Sequence, residues 1–213
     1  MKSVLVIGMG RYGRNVAQKM QELGNEVMIV DKHENIVEQL SADFTDAYIG
    51  DASNESVVKA LGVKNFDLCF VATGENFQSS LMITMLLKRH GAKYVISKAN
   101  QDIQAEILKE IGADEVVYPE KEIAHKIAIK HSLKNVFDFI PLSNDHSIYE
   151  IGVPDEWTGK TIGELRVRPK YNVNIVAVKS EDDSTPIPTA EYRFKPNDHI
   201  ILIGKQSSVA KLK

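Results

Sequence analysis

The residues best suited to chemistry lie at the start of this 213-residue chain. Gly8, Gly10 and Gly13 follow the apolar run Val4-Leu5-Val6-Ile7, and Asp31 closes a second apolar run 18 residues beyond Gly13. Gly8 permits a tight turn, Gly10 lets backbone approach a phosphate, and Gly13 lets a helix lie close on a strand. A carboxylate at Asp31 can then accept hydrogen bonds from ribose hydroxyls. Arg11 follows Gly10 at the positive end of the expected helix, where another positive charge is unfavourable unless an anion is present. The chemistry on offer is the grip of a nucleotide by its phosphate and its ribose. Asp31 also speaks against a 2′-phosphate, which it would repel.

These residues need elements to hold them. Residues 4–7 are all apolar and mostly branched, as in a strand buried on both faces of a parallel sheet. A helix is expected over 11–23, with Val16, Ala17, Met20 and Leu23 on one face and Gly24-Asn25 closing it. A strand over 27–30 follows. The alternation continues with a helix at 36–40, a strand at 47–49, the turn Gly50-Asp51-Ala52-Ser53, a helix at 57–61 and a strand at 68–71. After Ala72-Thr73-Gly74-Glu75-Asn76 comes a helix to Arg89, then a strand at 94–97, a helix at 103–111 and a strand at 115–118. Six strands alternating with helices imply an α/β fold, a doubly wound parallel sheet of Rossmann type.

Ligands of such sheets sit beyond the carboxyl ends of the strands. Asp31, Asp51, Thr73-Gly74 and Lys98 all fall there. Asp51 either caps the next helix or contacts a base or ribose. Thr73-Gly74 is either ordinary turn chemistry or a ligand contact. Lys98 is either a solvated strand end or a counter-charge for phosphate.

Beyond Tyr118 a helix is expected over 120–132, its stripe formed by Ile123, Ala124, Ile127, Ala128 and His131. The sheet is complete by then, so this helix must pack on a second domain or a partner subunit. Composition then changes: six of the seven prolines lie beyond Phe139. Strands at 148–153, 173–178 and 200–203, a turn at 158–160, a short helical turn at 161–165 and a polar loop at 180–185 make a small α+β unit, mostly hairpins. It shows no paired carboxylate and histidine at catalytic spacing, no metal cluster, and no nucleophile with a base. Trp157 reads as packing. A unit this small is marginally stable alone, which favours self-association.

Composition excludes several classes. With 26 Lys+Arg against 29 Asp+Glu, the chain lacks the charge of a nucleic-acid binder. No apolar run nears the ~20 residues of a membrane span and no leader pattern precedes the first strand, so the expectation is a soluble, cytoplasmic protein. The one cysteine, Cys69, lies in an apolar run and reads as an inert core thiol. An NAD-dependent dehydrogenase shares the first half but needs an acid or base on a substrate domain. A nucleotide-sensing transcription factor needs a basic recognition helix. Neither is visible, and no enzymatic activity is expected.

The glycine motif with Arg11, Asp31, Gly50-Asp51-Ala52, Ala72-Thr73-Gly74-Glu75-Asn76, Ser97-Lys98-Ala99-Asn100, Ile111-Gly112-Ala113-Asp114 and Tyr118-Pro119-Glu120-Lys121 together resemble the RCK (regulator of potassium conductance) domain. Lys160-Thr161-Ile162-Gly163-Glu164-Leu165, Val173-Asn174-Ile175-Val176-Ala177-Val178 and Asp198-His199-Ile200-Ile201-Leu202 resemble its small C-terminal partner. The likeness covers essentially the whole chain and is greatest to the KtrA/TrkA-like cytosolic gating subunits of bacterial Ktr-type potassium uptake systems. It implies a nucleotide-binding domain at 1–118, a crossover helix at 119–134 joining dimer partners, and a regulatory domain at 135–213. It implies dimers assembled into an octameric ring beneath a potassium-conducting membrane subunit, at the inner face of the membrane and without direct insertion. ATP and ADP, or in the alternative NAD(H), would bind Gly8, Gly10, Arg11, Gly13, Asp31, Asp51, Thr73, Gly74, Glu75 and Lys98. Arg11 would meet the terminal phosphates, and Glu120 a divalent or monovalent cation. Ile162, Arg168, Asn174 and His199 resemble a cyclic di-AMP pocket, for which a guanidinium suits a phosphate.

Overall fold

Val4, Leu5 and Val6 have no solvent exposure, as a strand covered on both faces requires. They form β1 (Ser3–Ile7) in the computed structural model, which describes residues 1–73, 76–132, 135–143, 145–180 and 187–212. Leu5 and Ile7 face one core layer with Val30, Cys69, Val71 and Ile83, and Val4 and Val6 face the other with Ala17, Val27, Ile29 and Phe70. The described chain divides into two units, Met1–Glu122 and Ile123–Lys213.

The first unit runs β1, α1 (Arg11–Glu22), β2 (Glu26–Asp31), α2 (Glu34–Leu40), β3 (Asp46–Ile49), α3 (Glu55–Leu61), β4 (Leu68–Val71), α4 (Phe77–Arg89), β5 (Val95–Lys98), α5 (Asp102–Glu110), β6 (Glu115–Val117) and the start of α6 (Pro119–Ser132). All six strands are parallel in the order β3-β2-β1-β4-β5-β6, the doubly wound arrangement expected from the alternation. The order reverses between β1 and β4, which opens a crevice at their carboxyl ends. Leu23, expected on the buried face of α1, lies one residue past the helix as its C-cap and is 66% exposed. Cys69 is buried, and burial pushes its thiol up to about 12, so it is inert at neutral pH.

In the second unit, β7 (Val136–Pro141), β8 (His146–Gly152), β9 (Val173–Lys179) and β10 (His199–Lys205) form an antiparallel sheet in the order β7-β8-β10-β9. Alternate residues of β8 and β10 are buried, a period of two that sets one face on a core of Trp157, Phe194, Ile200 and Leu202. A reciprocal capping box between Thr161 and Glu164 starts α7 (Ile162–Leu165). It is followed by α8 (Val167–Tyr171), and α9 (Gln206–Val209) ends the unit. β7, whose run ends in a proline, and the short helices α8 and α9 go beyond the expected set. The polar loop expected at 180–185 lies, apart from Ser180, outside the described residues, as do residues 133 and 134 of the expected crossover helix.

Candidate functional site

The crevice at the switch point is a groove of about 260 Å³ lined by Gly8, Gly10, Asp31, His33, Asp51 and Thr73 among others. Gly8 leaves β1 with φ +96, a left-handed conformation that favours glycine, and its N–H donates to Val30 O. A Cβ on Gly13 would stand 1.9 Å from Gly8 O, so only glycine lets α1 lie this close to the turn. Gly10 differs. Its φ of −69 suits any residue, and a Cβ there would meet nothing within 4 Å. The space beside it belongs to the groove.

Gly10 is also the N-cap of α1, with no side-chain cap and no acidic residue in the first helical turn. The helix therefore presents uncapped amides and the positive end of its dipole, the arrangement that holds a phosphate. Arg11 adds an exposed guanidinium that makes no ion pair among the described residues. Arg14 fixes the loop from below, its Nε donating to Met9 O at 2.7 Å.

Asp31 ends β2 and is 9% exposed. Its Oδ2 accepts the Met9 N–H at 2.7 Å, and its Oδ1 accepts both the His33 N–H at 3.0 Å and the His33 ring Nδ1–H at 2.8 Å. Burial works against the charge, but the bonds from His33 and Met9 outweigh it and hold the carboxyl below the usual range. Asp31 thus ties the glycine turn to the end of β2.

Asp51 does not cap α3. Its Oδ1 accepts the Ser53 N–H at 2.9 Å and the Ser53 hydroxyl at 2.7 Å, closing the turn before the helix, whose N-cap is Asn54. Those bonds hold its carboxyl below the usual range. Thr73 Oγ1 is buried with no hydrogen-bond partner among the described residues. A hydroxyl in that condition on a groove wall fits a ligand that supplies the missing bond. Gly74 and Glu75 lie outside the described residues.

Lys98 ends β5 and does not line the groove. Its side chain is only 11% exposed, its Nζ lies 2.6 Å from Glu120 Oε1 and 5.8 Å from the centre of the Tyr12 ring. It is neither a solvated strand end nor a free cation: it pairs with the residue expected to hold a metal. That bond keeps the Glu120 carboxyl below the usual range. Among the described residues no group of three His, Cys, Asp or Glu is arranged to hold a metal ion.

In the second unit, His199 stacks on Phe137 at 4.1 Å between ring centres, and its Nδ1 bonds Glu150 Oε1 at 2.8 Å. Asn174 is exposed on β9 opposite Ile203, whereas His199 lies opposite Lys179. Four residues of β10 separate the two positions, about 13 Å along the strand. Ile162 opens α7, half-buried against the core, and Arg168 is exposed on α8. The groove in the first unit thus gathers Gly8, Gly10, Asp31, Asp51 and Thr73, with Arg11 and Gly13 on the helix behind it. In the second unit Asn174 and His199 stand apart on the sheet.

His33, Lys32, Asn76 and Ser79 also line the groove and were not singled out from the sequence. Asn76, whose residue type is a common helix cap, caps α4 by accepting the Ser79 N–H. The exposed faces of Ile123 and Ile127 run along α6, none of whose residues is buried.

The TrkA-N domain model matches residues 4–119 and the TrkA-C domain model residues 147–213. Ktr system potassium uptake protein C of Bacillus subtilis (strain 168) is 38% identical over 210 residues, 99% of this chain and 95% of that protein. Ktr system potassium uptake protein A of the same organism is 33% identical over the same shares. Among solved structures, the GsuK RCK domain matches with a TM-score of 0.69 at 18% identity, covering 99% of this chain and 46% of that one. A GsuK channel bound to NAD matches with a TM-score of 0.68 at 17% identity, covering 99% and 38%. The likeness to these two is one of fold, and the chain spans less than half the length of either.

Proposed function

This chain belongs to the family that joins a TrkA-N domain to a TrkA-C domain and includes the Ktr potassium uptake proteins, and from that premise we propose that it is the regulatory subunit of a potassium uptake system, governed by a nucleotide in the groove of its first unit. The observation that carries the reading is the groove itself. An uncapped helix N-terminus, a buried ionised Asp31 and a Thr73 hydroxyl with no partner among the described residues converge on one crevice. Asp31 holds the ribose, the α1 amides hold the phosphates, and Asp51 and Thr73 complete the walls. Among the described residues no base is paired with a nucleophile in the groove, which favours a nucleotide bound for its shape and charge over one turned over.

ATP and ADP are the nucleotides we assign. They differ by one phosphoryl group, and Arg11, free of other ion pairs among the described residues, is the cation to sense it. A ligand shifts a conformational equilibrium only by its differential affinity for the two states, and ~3 kcal/mol moves the ratio ~150-fold. The states it selects are those of a homo-oligomeric ring, an octamer built from dimers joined through the exposed Ile123 and Ile127 face of α6, docked at the cytoplasmic side of a potassium-conducting membrane subunit. A cation beside Glu120 requires Lys98 to release that carboxylate, with the phosphates supplying further ligands. NAD(H) is the second reading, because Asp31 and the glycine turn suit either nucleotide and the GsuK channel of like fold binds NAD.

Calorimetry tests the assignment. The unmodified protein should bind ATP more tightly than ADP, and Arg11→Ala should remove that preference at a cost of about ten-fold in ATP affinity, one charge-assisted bond. Equal ATP and ADP affinities in the unmodified protein would count against the switch, and NAD bound more tightly than either would favour the second reading.

For the second unit we assign cyclic di-AMP, held between two copies. The separation of Asn174 from His199 gives each protomer two distant half-sites instead of one pocket. Arg168→Ala should weaken cyclic di-AMP binding by about ten-fold through loss of a phosphate contact. Retention of full affinity removes Arg168 from the site.

A further inference from the structure

Asp31 carries more hydrogen bonds than ribose recognition leaves room for. An ionised carboxylate offers about four lone-pair sites, and three are taken: one on Oδ2 by Met9 N–H, two on Oδ1 by the backbone and ring of His33. A ribose presents two adjacent hydroxyl donors. The bonds from Met9 and from the His33 backbone are fixed by the turn and by the start of α2. The imidazole is different: it stands on a side chain that is 56% exposed and lines the same groove.

We propose that His33 is a positioning residue for the ribose: its ring holds the Asp31 oxygen that a ribose diol needs, and must swing off for both hydroxyls to bind. The inference rests on the nucleotide reading of the groove. Protonation strengthens the ring's grip, because a charged donor on a carboxylate makes the stronger bond. An imidazole is the side chain suited to change charge near neutrality. The charged groups around it are Asp31 at its Nδ1, Lys32 and Glu34 on either side in the chain, and Asp51 on the same groove. Asp31, held below the usual carboxyl range, stays ionised throughout, so its oxygens remain acceptors for the ring and for a ribose alike. Nucleotide affinity therefore rises with pH, and it does so through the diol.

The test compares ATP with 2′,3′-dideoxy-ATP by calorimetry on the full-length protein between about pH 5.5 and about pH 8. The ratio of the two affinities cancels the titration of the phosphates, which both ligands share. In the unmodified protein ATP should gain about five-fold over the dideoxy analogue across that range. In His33→Ala the ratio should be flat and at least as high as the high-pH value of the unmodified protein. His33→Ser, which offers a capping hydroxyl at the start of α2 where the histidine makes no side-chain cap but cannot carry the charge, should behave the same way. A flat ratio in the unmodified protein, or an unchanged slope in both variants, overturns the role of His33 and leaves the nucleotide site standing. Absence of ATP binding at every pH overturns both.

Discussion

Asp31→Ala is expected to weaken ATP binding by about 100-fold or more and to lower the melting temperature by roughly 6 °C. Two losses combine. The ribose loses an ionised acceptor, and bonds to a charged group contribute about 1.5–3 kcal/mol each. The Met9 N–H, on a fully buried residue, loses the oxygen 2.7 Å away, and an unsatisfied buried donor costs about 1–3 kcal/mol. Asp31→Asn should rescue at most one of the two. Met9 and His33 donate to opposite oxygens, so an amide must turn its NH2 toward one of those N–H groups. Titration calorimetry and thermal unfolding check both effects; an asparagine variant that binds ATP within about three-fold of the unmodified protein contradicts a double acceptor role. The pH dependence has a definite sign. A carboxyl whose folded value is depressed adds stability above its unfolded value and loses it as pH falls through the folded one. The Asp31 contribution should thus persist through the neutral range and disappear only in acid.

The parallel sheet was legible because its central strands are buried on both faces, which leaves unbroken apolar runs such as Val4–Ile7 and Leu68–Val71 that turns cannot imitate. The second unit was less so, for identifiable reasons. β7 ends on Pro141 and breaks register between Val136 and Asp138, so its alternation is lost in the chain. α8 carries Pro169 and is bracketed by Arg166 and Asn172, both left-handed without being glycine, and an arginine gives no hint of φ +48. At the site, glycine spacing and the acid closing β2 announced the groove. What residue types could not convey is partnership. Lys98 reads as a free cation until its bond to Glu120 is seen, and Asp31 reads as a free acceptor until His33 is found on its oxygen. Position in a parallel sheet follows from the pattern of burial; the occupancy of a lone pair depends on one rotamer of a neighbour.

Gly13→Ala and Gly10→Ala, three residues apart, should separate stability from binding. At Gly13 the added methyl would lie 1.9 Å from Gly8 O and 3.1 Å from Ala72 Cβ. The first of these is backbone at a turn already committed to φ +96, so neither side can yield cheaply. The helix α1 must lift off β1, and overpacking of this kind costs about 3 kcal/mol. Because the phosphate site is made of the same helix's first amides, ATP affinity should fall with stability. At Gly10 the methyl meets no protein atom and the backbone is one any residue adopts, so melting should hold or rise slightly, by up to about 1 kcal/mol, as the unfolded chain loses freedom. Yet the methyl enters the groove where a phosphate would lie, so ATP binding should weaken in a fully folded protein. Thermal unfolding and calorimetry on the pair give the readout. If Gly10→Ala binds ATP as the unmodified protein does, the phosphate does not sit against this turn; if Gly13→Ala melts unchanged, α1 has more room over β1 than a 1.9 Å approach allows.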